Sequence, residues 1–473
     1  MEPLRTQAID VLTEMGRNAL VTLERPPQGK RSAPGPLGLS VVGDLRDVAL
    51  DPMATLERRW RVYGDVVRMR FVTATGHLIA HPDGIQRVLQ DNHRNYSKAS
   101  RSVRMLSLVL GNGLLTSDGD FWLRQRRIAQ PAFHRERIRG FFEVMRREGE
   151  RAADRLVSEA HRGSRDIVDD NMRLTLEIIA KCALGAEMHD VVKTVSDAVN
   201  FVVRDVDQRI NELSGPLVGL PTRRNETFRR HVRALDDVVY RIIHDRRTGP
   251  PKHDFLGMLL DARDPETGAG MTDTQLRDEV ATMLLAGHET TANLLTWAFY
   301  LLSEHPEARA RVEAEIDAVL PPGAPFELEH LAKLEYTGRV LQETLRLYPP
   351  AWIIERFVEH DDEIGGYWIP AGSTVLLPTW LVHRRADFWR DPGRFDPDRF
   401  LSPPTHRFAF MPFGGGPRLC IGRDFAVMEA RVALATIVRR VRLDLVKGHP
   451  VKAAPEVTLR PRHGMRMHVT PRA

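Results

Sequence analysis

The decapeptide FGGGPRLCIG, Phe413 to Gly422, sets three glycines, a proline and an arginine just ahead of Cys420, one of only two cysteines in 473 residues. The run that follows, GRDFAVMEARVALATIVRRV, reads as a long amphipathic helix, which puts Cys420 at the positive end of a helix dipole. A thiolate is the useful form of cysteine as a ligand, and backbone N–H groups, a helix amino terminus or a metal favour it. Glycines at 414, 415, 416 and 422 let the backbone fold tightly and let a planar ligand lie against it. Thiolate, close backbone and flat ligand together point to haem iron with a cysteine axial ligand. An inert cysteine at a helix start would explain the thiol but not the four glycines. A nucleophilic cysteine needs a base, and no histidine partner stands out.

Composition agrees with an enzyme of this kind. Hydrophobic residues make up 42% and charged residues 28% of the chain, the balance of a soluble globular protein with a large core. Cys182 and Cys420 cannot build a disulfide framework, and no Cys/His cluster around them suggests structural zinc, so a single thiol in a reducing cytosol is expected. The first 24 residues interleave apolar and charged positions, unlike a signal peptide or membrane anchor. Ala281 to Leu302 is nearly long enough to span a bilayer, but His288, Glu289, Thr290, Thr291 and Asn293 lie at its centre. Because charge at a bilayer centre is costly, a buried helix and no membrane span are expected. With 68 basic and 63 acidic side chains the net charge is +5, which permits an acidic protein partner and gives no nucleic-acid signature.

Along the chain, a Pro/Gly-rich loop (Pro26 to Gly43) precedes a hairpin pattern, VVRMRFV and HLIAHP, separated by TATG. From Phe121 to about Arg440 the pattern is mostly helical, broken by GPLVGLP and TGPPKHD, with a second patch of strands at Ile364 to Leu377. No internal repeat is visible. The expected architecture is one mainly α domain with a small β-rich side.

Three further patterns bear on chemistry. Thr272 and Gln275 form a capping-box signature ahead of an apolar pattern that runs to about Leu302, enough for a helix crossing the whole domain. Its centre, AGHETT, places glycine and threonines where helix propensity is poor, which suits either a polar kink or a site where a flat ligand approaches. In LQETLRLYPP, Glu343 and Arg346 share a helical face among leucines, as a buried pair that needs more partners, and Arg399 of FDPDRF is a candidate. Trp122 and Arg126, four apart, offer an indole donor and a guanidinium to an anion, as any basic helix could.

Taken together, the chain resembles the cytochrome P450 family of haem-thiolate monooxygenases. The F-x-x-G-x-R-x-C-x-G pattern is matched by Phe413, Gly416, Arg418, Cys420 and Gly422; W-x-x-x-R, A-G-x-E-T, E-x-x-R and P-x-R-F follow family order at Trp122/Arg126, Ala286 to Thr290, Glu343/Arg346 and Pro397/Arg399/Phe400. Asp398 stands where many relatives have glutamate. The resemblance implies the P450 fold as a single domain over residues 31–473, after an amphipathic or flexible segment at 1–30. It implies haem b as cofactor, with Cys420 as axial ligand, Trp122, Arg126, Arg356 and Arg418 as propionate partners, and Phe413 and Gly422 packing the thiolate loop. Glu343, Arg346 and Arg399 would form a structural triad. Glu289 and Thr290 would deliver protons during insertion of one atom of O2 into a substrate.

The same resemblance places an apolar substrate pocket at Met105, Leu106, Leu108, Ala286, Leu217, Val218, Trp352, Ile353 and Ile354, suited to a terpenoid, carotenoid or fatty acid. No flavin or iron–sulfur module follows, so electrons are expected from a ferredoxin and its reductase, or a flavodoxin, with Arg418, Arg423 and Arg439 at the docking surface. A cytoplasmic monomer is expected. A peroxide-driven peroxygenase and a non-catalytic haem sensor remain alternatives; the first usually lacks the acid–alcohol pair, and the second usually carries an output module.

Overall fold

The capping box expected at Thr272 forms: Gln275 N–H donates to its hydroxyl, the Gln275 side chain accepts from the Thr272 N–H, and a 32-residue helix, Asp273–Glu304, follows. In the computed structural model, which describes residues 25–36, 44–71, 74–185, 189–212, 218, 220–250 and 254–472, this central helix is the axis of the molecule. Of its 32 residues 23 are buried, and from Leu276 to Leu302 they cover every face, so its apolar composition reflects core packing. Helices Ile167–Leu184, Arg223–Thr248, Glu335–Leu347 and Arg423–Arg440 pack around it. No helix among the described residues is long and apolar enough to cross a membrane.

The helix after the cysteine loop starts at Arg423 and ends at Arg440, close to expectation, but it is not amphipathic. Glu429, Val432, Ala433 and Thr436 are all buried, because helices Phe142–Ser158, Pro306–Val319 and Glu335–Leu347 and the central helix cover it from several sides.

On one side lies a five-stranded sheet. Strands Val66–Phe71 and Ala74–Ile79 pair antiparallel from Val66 opposite Ile79 to Phe71 opposite Ala74. The second strand therefore begins inside the expected TATG turn, where pairing extends to shield more backbone from water. Thr374–Leu377 joins it in parallel, Ile354–Val358 pairs antiparallel with that strand, and the short Tyr96–Ser97 closes the edge. Two hairpins, Asp362–Ile364 with Tyr367–Ile369 and Ala453–Pro455 with Leu459–Pro461, accompany it, and a three-stranded sheet, Ser164–Asp166, Arg466–Pro471 and Val441–Leu445, packs its buried side chains into the helical core. The fold is mainly α with small sheets, as the sequence indicated. Residues 1–24 lie outside the described residues.

The Glu343/Arg346 pair is wholly buried. Arg346 donates Nε and Nη2 to the two carboxylate oxygens at 2.7 Å each, and its remaining donors reach the carbonyls of His383, Pro392 and Arg394. Glu343 also accepts from the Asp396 N–H at 2.9 Å and Arg399 Nε at 3.1 Å. Every donor of the fork is matched, which offsets the desolvation of two charges.

Candidate active site

Cys420 opens into a cavity of about 920 Å³ in the middle of the molecule, whereas Cys182 is buried in the core. From the cysteine loop it is lined by Phe413, Gly414, Gly415, Arg418 and Gly422, and from the central helix by Ala286, Gly287, Glu289 and Thr290. The loop closes on itself through the Cys420 N–H, which donates to the Phe413 carbonyl at 3.0 Å. Its glycines serve the protein's own packing more than the sequence suggested. Gly414 and Gly416 adopt φ of +74° and +66°, and a Cβ on Gly416 would meet the Leu89 carbonyl oxygen at 1.8 Å. A Cβ on Gly415 would lie 2.4 Å from the Phe408 ring. Gly287 likewise admits Ile179 of the neighbouring helix, whose Cγ1 would be 3.0 Å from an added Cβ. Burial pushes the Cys420 thiol up from its ordinary pKa, while the Gly422 N–H and the charges of Arg126 and Arg423 favour the thiolate.

Beside the cysteine, cations gather. The Arg418 guanidinium stacks over the Trp122 ring at 4.1 Å, donates to the Ser117 carbonyl at 2.9 Å and pairs with Asp118. Asp118 also caps the helix Gly119–Ala129 that carries Trp122 and Arg126, so one carboxylate fixes both elements. Arg126 donates to Gln130 at 2.9 Å. Arg356 points in from strand Ile354–Val358 and is bonded to the Glu355 carbonyl.

Burial first, and then the Arg418 charge, lowers the Arg356 pKa to about 10. Lys98, which also lines the cavity, is held well below its ordinary value by burial and by Arg356 and Arg418. Lys98, Arg356, Arg418 and Arg126 all line this cavity, and the repulsion that Arg356 and Arg418 exert on Lys98, and Arg126 on Arg418, makes a receptacle for a ligand with more than one negative charge. The two carboxylates of a haem fit that requirement, and a thiol that opens onto the same cavity fits its iron. Lys98 was not identifiable from the sequence, since a single lysine in NYSKAS carries no pattern; the charge cluster exists only once the sheet brings Lys98 beside Arg356.

On the central helix, the Thr290 hydroxyl donates to the Ala286 carbonyl at 2.7 Å, one turn back. Glu289 is buried and accepts from the Thr458 hydroxyl at 2.6 Å. Leu106, Trp352, Ile353 and Ile354 line the cavity. Met105 does not: it is 2% exposed in the core, because consecutive residues on a helix point about 100° apart and Leu106 takes the cavity side of helix Arg101–Leu110. Leu108 and Val218 are also away from the cavity wall, and Leu217 lies outside the described residues. Glu343, Arg346 and Arg399 sit behind the site as scaffold. Arg439, expected beside the cysteine loop, is near the far end of its helix, where it donates to the Pro321 and Ala324 carbonyls.

A model of the cytochrome P450 family matches residues 33–466. Cyclooctatin synthase of Streptomyces melanosporofaciens is 36% identical over 90% of this chain and 93% of its own. Cyclooctat-9-en-7-ol 5-monooxygenase of the same organism is 36% identical over 82% and 84%. Pentalenene oxygenase of Streptomyces avermitilis is 33% identical over 93% and 97%. Among solved structures, the haem domain of cytochrome P450DA superposes with a TM-score of 0.81 at 27% identity, covering 94% of this chain and 98% of that one. Likeness in sequence and in fold runs along nearly the full length, cysteine loop included, and the chain belongs to the cytochrome P450 family of haem-thiolate monooxygenases.

Proposed function

We propose that the protein inserts one oxygen atom from O2 into a lipophilic terpenoid, using electrons delivered by a separate ferredoxin-type partner. The observation that supports this reading is that Cys420, Glu289 and Thr290 line one cavity together with many apolar side chains. Residues 31–473 would form the catalytic domain. When bound, the haem supplies iron at which O2 is activated by two electrons and two protons, one oxygen atom going to substrate and the other to water. Cys420 would hold that iron as thiolate. Arg126, Arg356, Arg418 and Lys98 would bind the haem carboxylates, with the Trp122 ring fixing Arg418, and Phe413 and Gly422 would shape the loop around the sulfur. Thr290 and Glu289 would hold and move protons within the same cavity. Leu106, Ala286, Trp352, Ile353 and Ile354 would exclude water and orient the substrate.

The terpenoid assignment draws on the names of the relatives, which act on cyclooctatin-type and pentalenene skeletons. The same apolar wall would accept other lipophilic chains, so the test must compare classes. A spectral titration of the holoprotein against terpenoids, carotenoids and fatty acids reads the low- to high-spin shift. A cyclic terpene should give the tightest shift and, with supplied ferredoxin, reductase and NAD(P)H, an oxygenated product. Turnover at full rate with peroxide alone, or a preference for fatty acids, would overturn the proposal. Cys420→Ala should abolish the thiolate-type band of the reduced, carbon-monoxide-bound protein; survival of that band would remove Cys420 as ligand.

A further inference from the structure

The central helix is tied to the carboxy-terminal hairpin at three positions along one face. Glu289 accepts from the Thr458 hydroxyl at 2.6 Å, Asn293 Nδ2 donates to the same hydroxyl oxygen at 3.0 Å, and Trp297 Nε1 donates to the Leu459 carbonyl at 3.2 Å. Spacing of four residues puts all three on one stripe facing the turn between Ala453–Pro455 and Leu459–Pro461. The Asn293 bond uses a lone pair of the Thr458 oxygen, so the hydroxyl hydrogen is committed to Glu289. Asp207, from helix His189–Asn211, reaches the same turn. It lines the same cavity and accepts from the Val457 N–H. Two neighbouring residues of one turn thus hold two carboxyl groups from two different helices.

We propose that Asp207 is a second proton-carrying acid that resupplies Glu289 across this turn, and that Thr458 is the positioning residue that fixes Glu289 for the transfer. The inference rests on the proton-delivery reading of Glu289 given above. In each transfer a proton leaves the Asp207 carboxyl and protonates the Glu289 carboxylate through solvent in the shared cavity, and Asp207 then recovers a proton from bulk water. Among the described residues, the charged groups that act on Asp207 are Glu456 and Arg460 on the hairpin and Glu289 on the central helix, and His288 lies next to Glu289 on that helix. Burial first, then the Glu456 charge, against the opposing Arg460 charge and Val457 N–H, brings the Asp207 pKa up to about 7. A carboxyl at that value both holds and releases a proton at neutral pH, as a relay requires. An ordinary surface aspartate, ionised throughout this range, could not.

The raised value means that Asp207 is protonated below about pH 7 and loses its proton as pH rises through it. Product formed per NAD(P)H, with supplied redox proteins, should therefore decline across that window in the parent enzyme. In Asp207→Asn the ratio should be several-fold lower and flat across it. Thr458→Val should uncouple several-fold while Thr458→Ser keeps coupling near the parent value, a rescue that a purely packing role would not show. Independently of turnover, infrared titration of the resting holoprotein should reveal a protonated-carboxyl band that disappears near pH 7 and is absent from Asp207→Asn. Persistence of the pH break and of that band in Asp207→Asn, or normal coupling in Thr458→Val, would overturn the proposal. Glu289→Gln separates the two readings. If it uncouples while the Asp207 and Thr458 variants do not, only the relay fails; if it leaves coupling unchanged, the reading of Glu289 fails with it.

Discussion

Thr290 shows what a single residue can be asked to do. Thr290 lines the cavity, and its hydroxyl donates to the Ala286 carbonyl, which satisfies the hydrogen without any ligand and leaves the oxygen able to accept. Removing the hydroxyl therefore costs the helix little but removes a proton-holding group. Loss of a positioned acid–base group typically costs roughly 100-fold. Thr290→Ala should lower product per NAD(P)H by at least about tenfold, with peroxide rising in compensation and NAD(P)H consumption sustained, as read by product and peroxide assays. An unchanged ratio would exclude the role. At this scale the sequence was informative where chemistry and spacing coincide. The cysteine loop, the tryptophan–arginine pair and the acid–alcohol pair, each readable as a local pattern, all line the cavity. Met105 was misplaced, and Lys98, Asp118, Asp207 and Thr458 were missed. Their significance comes from partners that lie 20 to several hundred residues away, as with Lys98 and Arg356 or Thr458 and Glu289.

Between elements, the buried ion pair outweighs a helix cap. Thr272 caps the central helix at an exposed end, and Thr272→Ala should cost about 1 kcal/mol. Glu343 instead joins helix Glu335–Leu347 to the irregular segment 383–399 through Arg346, Arg399 and the Asp396 N–H. Glu343→Gln leaves the Arg346 charge buried without a counter-ion, a change that typically costs about 3–5 kcal/mol. Denaturant titration of the holoprotein should place the Glu343→Gln midpoint far below that of Thr272→Ala. Similar midpoints for the two would show that neighbouring carbonyls, not the carboxylate, carry Arg346. The helices were legible because 3.6-residue periodicity and caps are local. Most of the short strands were not: Ser164–Asp166 and Tyr96–Ser97 have three and two residues, too few to show alternation, and they pair with segments hundreds of positions away.

For the whole molecule, the proposed electron donor would dock beside the loop of Cys420, the residue that would hold the iron, because electron transfer favours the shortest path. The charge there differs from what the cysteine loop alone suggested. Arg418 is turned inward against Trp122 and Asp118, and Arg439 lies elsewhere. The short helix Arg135–Arg139 packs on helix Arg423–Arg440 and is fastened beside the loop by Arg135 pairing with Asp424 at 3.2 Å. Arg135, Arg137 and Arg139 are all exposed there, with Glu136 as the one acid among them. Such a basic patch attracts an acidic ferredoxin or flavodoxin, and exposed charges act mainly on encounter and are screened beyond about 8 Å at physiological salt. Reversing Arg137 and Arg139 to glutamate should raise the KM for the ferredoxin by about tenfold or more, weaken its salt dependence, and leave kcat at saturation and the substrate-induced spin shift unchanged. Steady-state kinetics across a salt series reads all of these. A KM indifferent both to salt and to the reversal would place the electron donor on a different face.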